Sequence, residues 1–200
     1  MSEGRTQGEG SQGCVLPGGQ WPTVIIMGAS GSGKTSVGEE IARRASWALV
    51  ENCEIAEHLL GMPLSEAMIR DPQGAQEALT VAARQCLTPG GKGAGAAVVL
   101  SASAPLDPEV HTLVEQCRVA HVPVVALSAP LEVLARRNGL LAARPSALGT
   151  PRAWFRQQLG QVEDAYSLVA DYWCDTGSCD SSECAMRIAT EFGLPFVVKP

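Results

Sequence analysis

An α/β domain built on a mostly parallel sheet is the fold class this sequence predicts, and three observations predict it. Short β-branched runs at 23–27, 96–102 and 122–128 alternate with longer amphipathic stretches, the order that builds strand–helix–strand units rather than hairpins. The runs are apolar at successive positions, as strands covered by helices on both faces must be. At 200 residues, 46% hydrophobic and 18% charged, the chain can bury one sizeable core and has little room for a second. The same composition excludes a disordered chain, collagen and a coiled coil.

Residues 1–20 are rich in Gly, Ser, Gln and Glu with almost no apolar content, so a flexible tail is expected there. The folded domain is expected over 21–193, with a short C-terminal tail over 194–200. Thr23-Val-Ile-Ile-Met27 is the first strand, ending at a glycine. From Thr35 to Ala45, Val37, Ile41 and Ala45 recur at helical spacing, marking a helix that rests on a sheet. Ala48-Leu-Val50 is a second strand. Glu54 to Leu87 reads as helical, with breaks at Gly61-Met-Pro63 and Asp71-Pro-Gln-Gly74. The following loop, 88–95, is too glycine-rich to hold a fixed shape unaided.

Ala96 to Ala102 is the third strand, and Leu106 to Val119 a helix with Val110, Leu113, Val114 and Cys117 inward. Val122 to Ser128 is the fourth strand, its proline near the start, where proline is tolerated. Arg152 to Ala170 has the clearest amphipathic spacing, through Phe155, Leu159, Val162, Tyr166 and Val169. Tyr172-Trp-Cys174 is a last strand and 181–192 a closing helix.

Twenty-one acidic against fifteen basic residues give a net charge of −6, which disfavours broad nucleic-acid binding. No apolar run approaches the ~20 residues that span a bilayer, and the N-terminus carries no signal-peptide core. Seven cysteines without an export signal read as reduced thiols in a cytoplasmic protein. Cys174, Cys179 and Cys184 stand five apart, which is no zinc-ligand spacing. Neither nucleic acid nor membrane is expected as a partner, and the chain is expected to be a monomer or a weak oligomer. His58, His111 and His121 have no visible paired acid or nucleophile and are read as structural.

Directly after the first strand, Gly28-Ala-Ser-Gly-Ser-Gly-Lys34-Thr35 satisfies G-x-x-x-x-G-K-[ST] and opens the first helix. The four fixed positions match by chance in about one chain of this length in a hundred, and the strand and helix on either side lower that further. Gly28, Gly31 and Gly33 let the backbone curl so that N–H groups point at phosphate oxygens. The helix start adds its positive end. Lys34 can reach the β- and γ-phosphates, and the Thr35 hydroxyl can bind Mg²⁺. Gly28, Ala29, Ser30, Gly31, Ser32, Gly33, Lys34, Thr35 and Ser36 are therefore the candidate contacts to a nucleoside triphosphate.

Three further stretches carry a resemblance: Leu134-Ala-Arg-Arg-Asn-Gly-Leu-Leu-Ala-Ala-Arg144-Pro145, then Asp164-Ala-Tyr166-Ser-Leu-Val-Ala170, then Cys174-Asp175-Thr176. With Glu51 to Leu79, including Gly61 and Glu66, they resemble the shikimate kinase family, with gluconate kinases as near relatives, over Thr23 to Phe192. The resemblance implies a P-loop kinase-type three-layer fold: five parallel strands, helices on both faces and a small lid. It implies transfer of the γ-phosphoryl group of ATP, with Mg²⁺, to a hydroxyl of a small metabolite. Lys34, Glu51 and Arg144 would be catalytic, Arg144 entering with the lid to neutralise charge on the phosphoryl group. Arg136 or Arg137 would lie over the adenine ring, and Thr35 and Glu51 would serve the metal.

The sequence also departs from the family. Where the family carries Asp-x-Asp, this chain reads Glu51-Asn52-Cys53. Glu51 could hold a magnesium-bound water or accept the hydroxyl proton, but Cys53 cannot replace a carboxylate. Gln76-Glu77 stands where the family binds its substrate carboxylate with a Phe-Arg pair, and Val162 stands where it has an arginine. The family's glycine triplet is Ser101-Ala-Ser103, closer to gluconate kinases. Two alternatives follow: a gluconate-type sugar-acid kinase, and a regulatory module that binds ATP without catalysis.

Overall fold

A computed structural model describes residues 19–140 and 151–196, the side chains of 151–154 excepted. Five strands form one parallel sheet: β1 (Val24–Gly28), β2 (Leu49–Glu51), β3 (Ala97–Val99), β4 (Val124–Ser128) and β5 (Tyr172–Asp175). Their order is β2-β3-β1-β4-β5. The chain thus passes from β1 to the far edge at β2, returns to lay β3 beside β1, and then adds β4 and β5 on the other side. The strand order reverses at the carboxyl end of β1, the place in such sheets where ligands bind.

Around the sheet lie α1 (Lys34–Ala45), α2 (Asn52–Leu60), α3 (Leu64–Arg70), α4 (Pro72–Leu87), a 3₁₀ turn (Ala104–Leu106), α5 (Pro108–Val119), α6 (Leu131–Arg137), α7 (Pro151–Val169) and α8 (Ser181–Phe192). Alternation along β1 divides the core. Val24 and Ile26 face one side and pack with Val37 and Ile41 of α1 and Ile188 of α8. Ile25 and Met27 face the other and pack with Leu79 of α4, Val114 of α5 and Tyr166 of α7. Each position of β1 is therefore covered, on one face or the other, which is why its run reads apolar without alternation.

Three expectations about strands and loops change. The third strand is shorter than 96–102: after Leu100 the chain leaves the sheet, because the Ser101 N–H donates to the side-chain oxygen of buried Asn52 (2.7 Å). β2 lies one residue later than 48–50, which puts Glu51 at the strand tip. The 88–95 loop is fixed by backbone bonds from Gly90 N to Gln20 O (2.7 Å), Gly95 N to Trp21 O (2.9 Å) and Lys92 N to Gln85 O (2.7 Å). Packing continues past Gly193, where Leu194 is buried and Phe196 lies under the Arg44 guanidinium. Among the described residues no helix is long and apolar enough to cross a membrane.

Asn52 joins the ends of β2 and β3, and its amide nitrogen lies within reach of Leu79 O. Asn52→Ala leaves a buried backbone N–H unpaired, which costs about 1–3 kcal/mol. A fall in melting temperature of roughly 4–8 °C is expected, measurable by thermal denaturation.

Candidate active site

The segment between β1 and α1 is curled by three glycines with positive φ: Gly28 at 154°, Gly31 at 78° and Gly33 at 88°. A Cβ at Gly28 would stand 2.7 Å from the carbonyl oxygen of Leu127 in β4, so only glycine lets the loop leave the sheet here. Gly33 caps α1 with no side-chain hydrogen bond, and the first turn carries no acidic residue. The first amides of α1 are left for an outside acceptor, an anion site by the ordinary physics of helix ends. Thr35 and Ser36 are exposed beside it.

Lys34 turns back into the loop and donates Nζ–H to Ala29 O (3.1 Å). Burial pulls its ammonium below the usual range, while Cys53 and Glu51 act in the other direction. Both residues therefore stand near enough to feel its charge. The tip of β2 carries Glu51 to this position and the first turn of α2 carries Cys53. Glu51 Oε1 and Ser32 Oγ are buried with no hydrogen-bond partner among the described residues. Burial pushes the Cys53 thiol above its usual range, with Lys34 opposing, so it is a protonated thiol at neutral pH.

Two residues that lie in the resembling stretches but are not among the candidate site residues hold the loop in shape. Asn138, just after α6, accepts from Ser30 Oγ (2.7 Å) and donates to Ser30 O (2.9 Å). Thr176, just after β5, donates its N–H to Ser128 O (2.8 Å). Its hydroxyl has a single proton, and with Ser128 O so engaged it points to Ser32 O (2.8 Å). Arg137 donates to Gly31 O (3.1 Å) and Thr176 O (2.9 Å), tying the same pieces together. Their signal is weak in sequence because each contact joins residues more than thirty positions apart. Buried Tyr166 of α7 donates its hydroxyl to Ala102 O (2.6 Å), fixing the chain beyond β3.

Two cavities border the loop. One of about 320 Å³ lies along its later half, with Gly33, Ser36, Arg137, Thr176, Cys179 and Asp180 on its walls. Arg137 borders this cavity and exposed Arg136 does not. The other, of about 200 Å³, lies along the loop's first half between the chain after β3 and α7. The candidate residues from Gly28 to Ser36 thus gather at one site with Glu51 and Arg137. Arg144 lies outside the described residues.

A family model described as "Shikimate kinase" matches residues 30–192. A shikimate kinase of Thermobifida fusca is 30% identical over 173 residues, covering 85% of this chain and 94% of that protein. Among solved structures, a shikimate kinase from Acinetobacter baumannii in complex with shikimate superposes with a TM-score of 0.73 at 19% identity, over 86% of this chain and 93% of that one. A gluconokinase from Sinorhizobium meliloti superposes at 0.50 and 22% identity, over 87% and 93%. At these identities the structural likeness bears on the fold.

Proposed function

This chain belongs to the shikimate kinase family, and from that premise we propose how its own residues carry ATP-dependent phosphorylation of a small molecule's hydroxyl. The chain is a small-molecule kinase. The hydroxyl oxygen bonds to the γ-phosphorus while the bond from that phosphorus to the β–γ bridging oxygen breaks. ADP leaves with the electron pair, and the hydroxyl proton passes to a base. Almost all the protein's work in such a reaction is positioning and charge stabilisation.

The observation that carries the reading is the uncapped start of α1 with Lys34 folded into the curled loop beside Glu51. The loop amides from Gly28 to Ser36 hold the phosphates. Lys34 leaves the Ala29 carbonyl for the β- and γ-oxygens, where a half-buried ammonium acts with little screening. Glu51 accepts the hydroxyl proton or holds a metal-bound water, and Cys53 does neither at neutral pH. The nucleoside lies in the cavity walled by Arg137, and Arg144 meets the charge on the transferring group.

The residues fit Mg²⁺. Glu51 Oε1 is a buried carboxylate oxygen lacking a partner among the described residues, and the Thr35 hydroxyl is exposed at the start of α1. Thr35 and Glu51 would hold the ion, whose chemistry is to neutralise negative charge on the phosphate oxygens.

Coupled ADP release with MgATP, in the presence and absence of shikimate or gluconate, tests the reading. Acceptor-dependent ADP release is expected. Stabilisation by nucleotide with no acceptor-dependent release overturns it in favour of a binding module, the version that the Cys53 thiol and the exposed Glu77 carboxylate favour. Arg137→Ala removes two charge-assisted bonds to backbone carbonyls. The KM for ATP is expected to rise about tenfold with kcat changed by less than about threefold, read from initial rates.

A further inference from the structure

The phosphate loop owes its curl to side chains outside the motif's fixed positions as well as to its glycines. Four consecutive carbonyls are engaged: Ala29 O by Lys34 Nζ, Ser30 O by Asn138 Nδ2, Gly31 O by Arg137 and Ser32 O by Thr176 Oγ1. In a trans peptide the carbonyl and the next residue's N–H point in opposite directions. A donor that fixes one carbonyl therefore also fixes the direction of the amide that follows it. The Ser32 N–H is spent inside the loop, on Ala29 O (3.1 Å). Those of Ser30, Gly31 and Gly33 have no acceptor among the described residues, so they are donors left for an anion.

Asn138 fixes the middle one of the three. Its Nδ2 donates to Ser30 O (2.9 Å) and to Leu134 O (2.8 Å), and its Oδ1 accepts from Ser30 Oγ (2.7 Å). Only this orientation of the carboxamide satisfies two carbonyls and a hydroxyl at once. Leu134 is buried in α6, so the hold on Ser30 is anchored in the core. Gly31 answers to the same contact. G-x-x-x-x-G-K-[ST] leaves its position free, yet here φ is 78° and a Cβ would stand 2.6 Å from Asn138 Nδ2. Glycine at 31 thus lets the carboxamide close on the peptide between Ser30 and Gly31.

We propose, on the basis of the kinase reading above, that Asn138 is a positioning residue for the phosphoryl donor: by holding Ser30 O it aims the Gly31 N–H at a phosphate oxygen of the bound nucleotide. Asn138 acts through Gly31 and not on the phosphate itself. Without it the peptide between Ser30 and Gly31 is free to turn, because glycine on one side accepts either orientation. The loss falls on nucleotide affinity, while the chemical step served by Lys34 and Glu51 stays nearly as it was.

Asn138→Ala and the isosteric Asn138→Asp test this on the full chain. Both lack a donor for Ser30 O, whereas Asp keeps an acceptor for Ser30 Oγ and adds a negative charge. In both, the KM for ATP is expected to rise about tenfold, with kcat and the acceptor's KM changed by less than about threefold. In isotope-labelled parent protein, the Gly31 amide resonance is expected to move downfield when inorganic tripolyphosphate is added. At matched saturation it is expected to stay near its free position in Asn138→Ala. An unmoved KM in Asn138→Ala overturns the proposal, and so does a fall in kcat alone, the mark of a partly misfolded enzyme. A rise in KM confined to Asn138→Asp overturns it too, since charge then accounts for the effect. The resonance needs no turnover: if no acceptor releases ADP, the kinase reading falls, while a Gly31 shift that depends on Asn138 still upholds the positioning role. A Gly31 amide that ignores tripolyphosphate in the parent overturns that role whatever the rates.

Discussion

Lys34→Ala is expected to lower kcat/KM for any acceptor by at least about 10³-fold while shifting the melting temperature by less than about 3 °C. The size of the first effect follows from where the ammonium sits. It is half-buried at the start of α1, inside a glycine-curled loop whose amides converge on the same space. Charge that develops on the γ-phosphoryl oxygens is met there with little water to screen it. The second effect is small for a related reason. With no phosphate bound, the ammonium is desolvated and holds only the Ala29 carbonyl, so deleting it removes little net stabilisation. Initial rates and a melting curve on the same preparation check both. Turnover within tenfold of the parent would remove Lys34 from the site.

Glu51→Gln is expected to lower kcat by about 10²–10⁴-fold, the usual size of a lost general base, with affinity for the ATP analogue changed less than about threefold. The substitution keeps the shape of the side chain at the tip of β2 and removes its negative charge. Glu51 Oε1 has no hydrogen-bond partner among the described residues, so the amide breaks no described bond at that oxygen and the loss reports on chemistry. A magnesium titration separates its two possible duties. A base leaves the half-saturating Mg²⁺ concentration where it was, whereas a ligand to metal-bound water raises it in the variant. A kcat within threefold of the parent excludes both.

The sheet was legible because its central strands are covered on both faces. β1 and β4 are apolar at every inward position and stand next to glycine or proline punctuation. The phosphate loop was legible because its chemistry demands a fixed local spacing. What was hidden is what distant residues do together. Nothing near Ser101 announces that its amide turns to Asn52, 49 positions earlier, and shortens β3. The seven residues of α6 make two turns, too few for a periodic pattern. Asn138 and Thr176 look like ordinary loop residues until folding sets them against Ser30 and Ser32. The glycines at 88–95 suggested looseness, and two of the partners that fix the loop come from Gln20 and Trp21, some seventy positions earlier and just before β1. The apolar character of the second cavity was partly visible in Val162. Leu106 and Phe155 join it only through the packing of the 3₁₀ turn against α7.

Thr176 and Arg137 give the phosphate loop a mooring at the opposite edge of the sheet from Glu51. Anyone who grafts, splices or trims this protein just beyond β5 is therefore operating one hydroxyl away from its anion grip. Permutation or fusion points belong elsewhere on the fold, and libraries built to evolve new acceptors can leave 176 untouched.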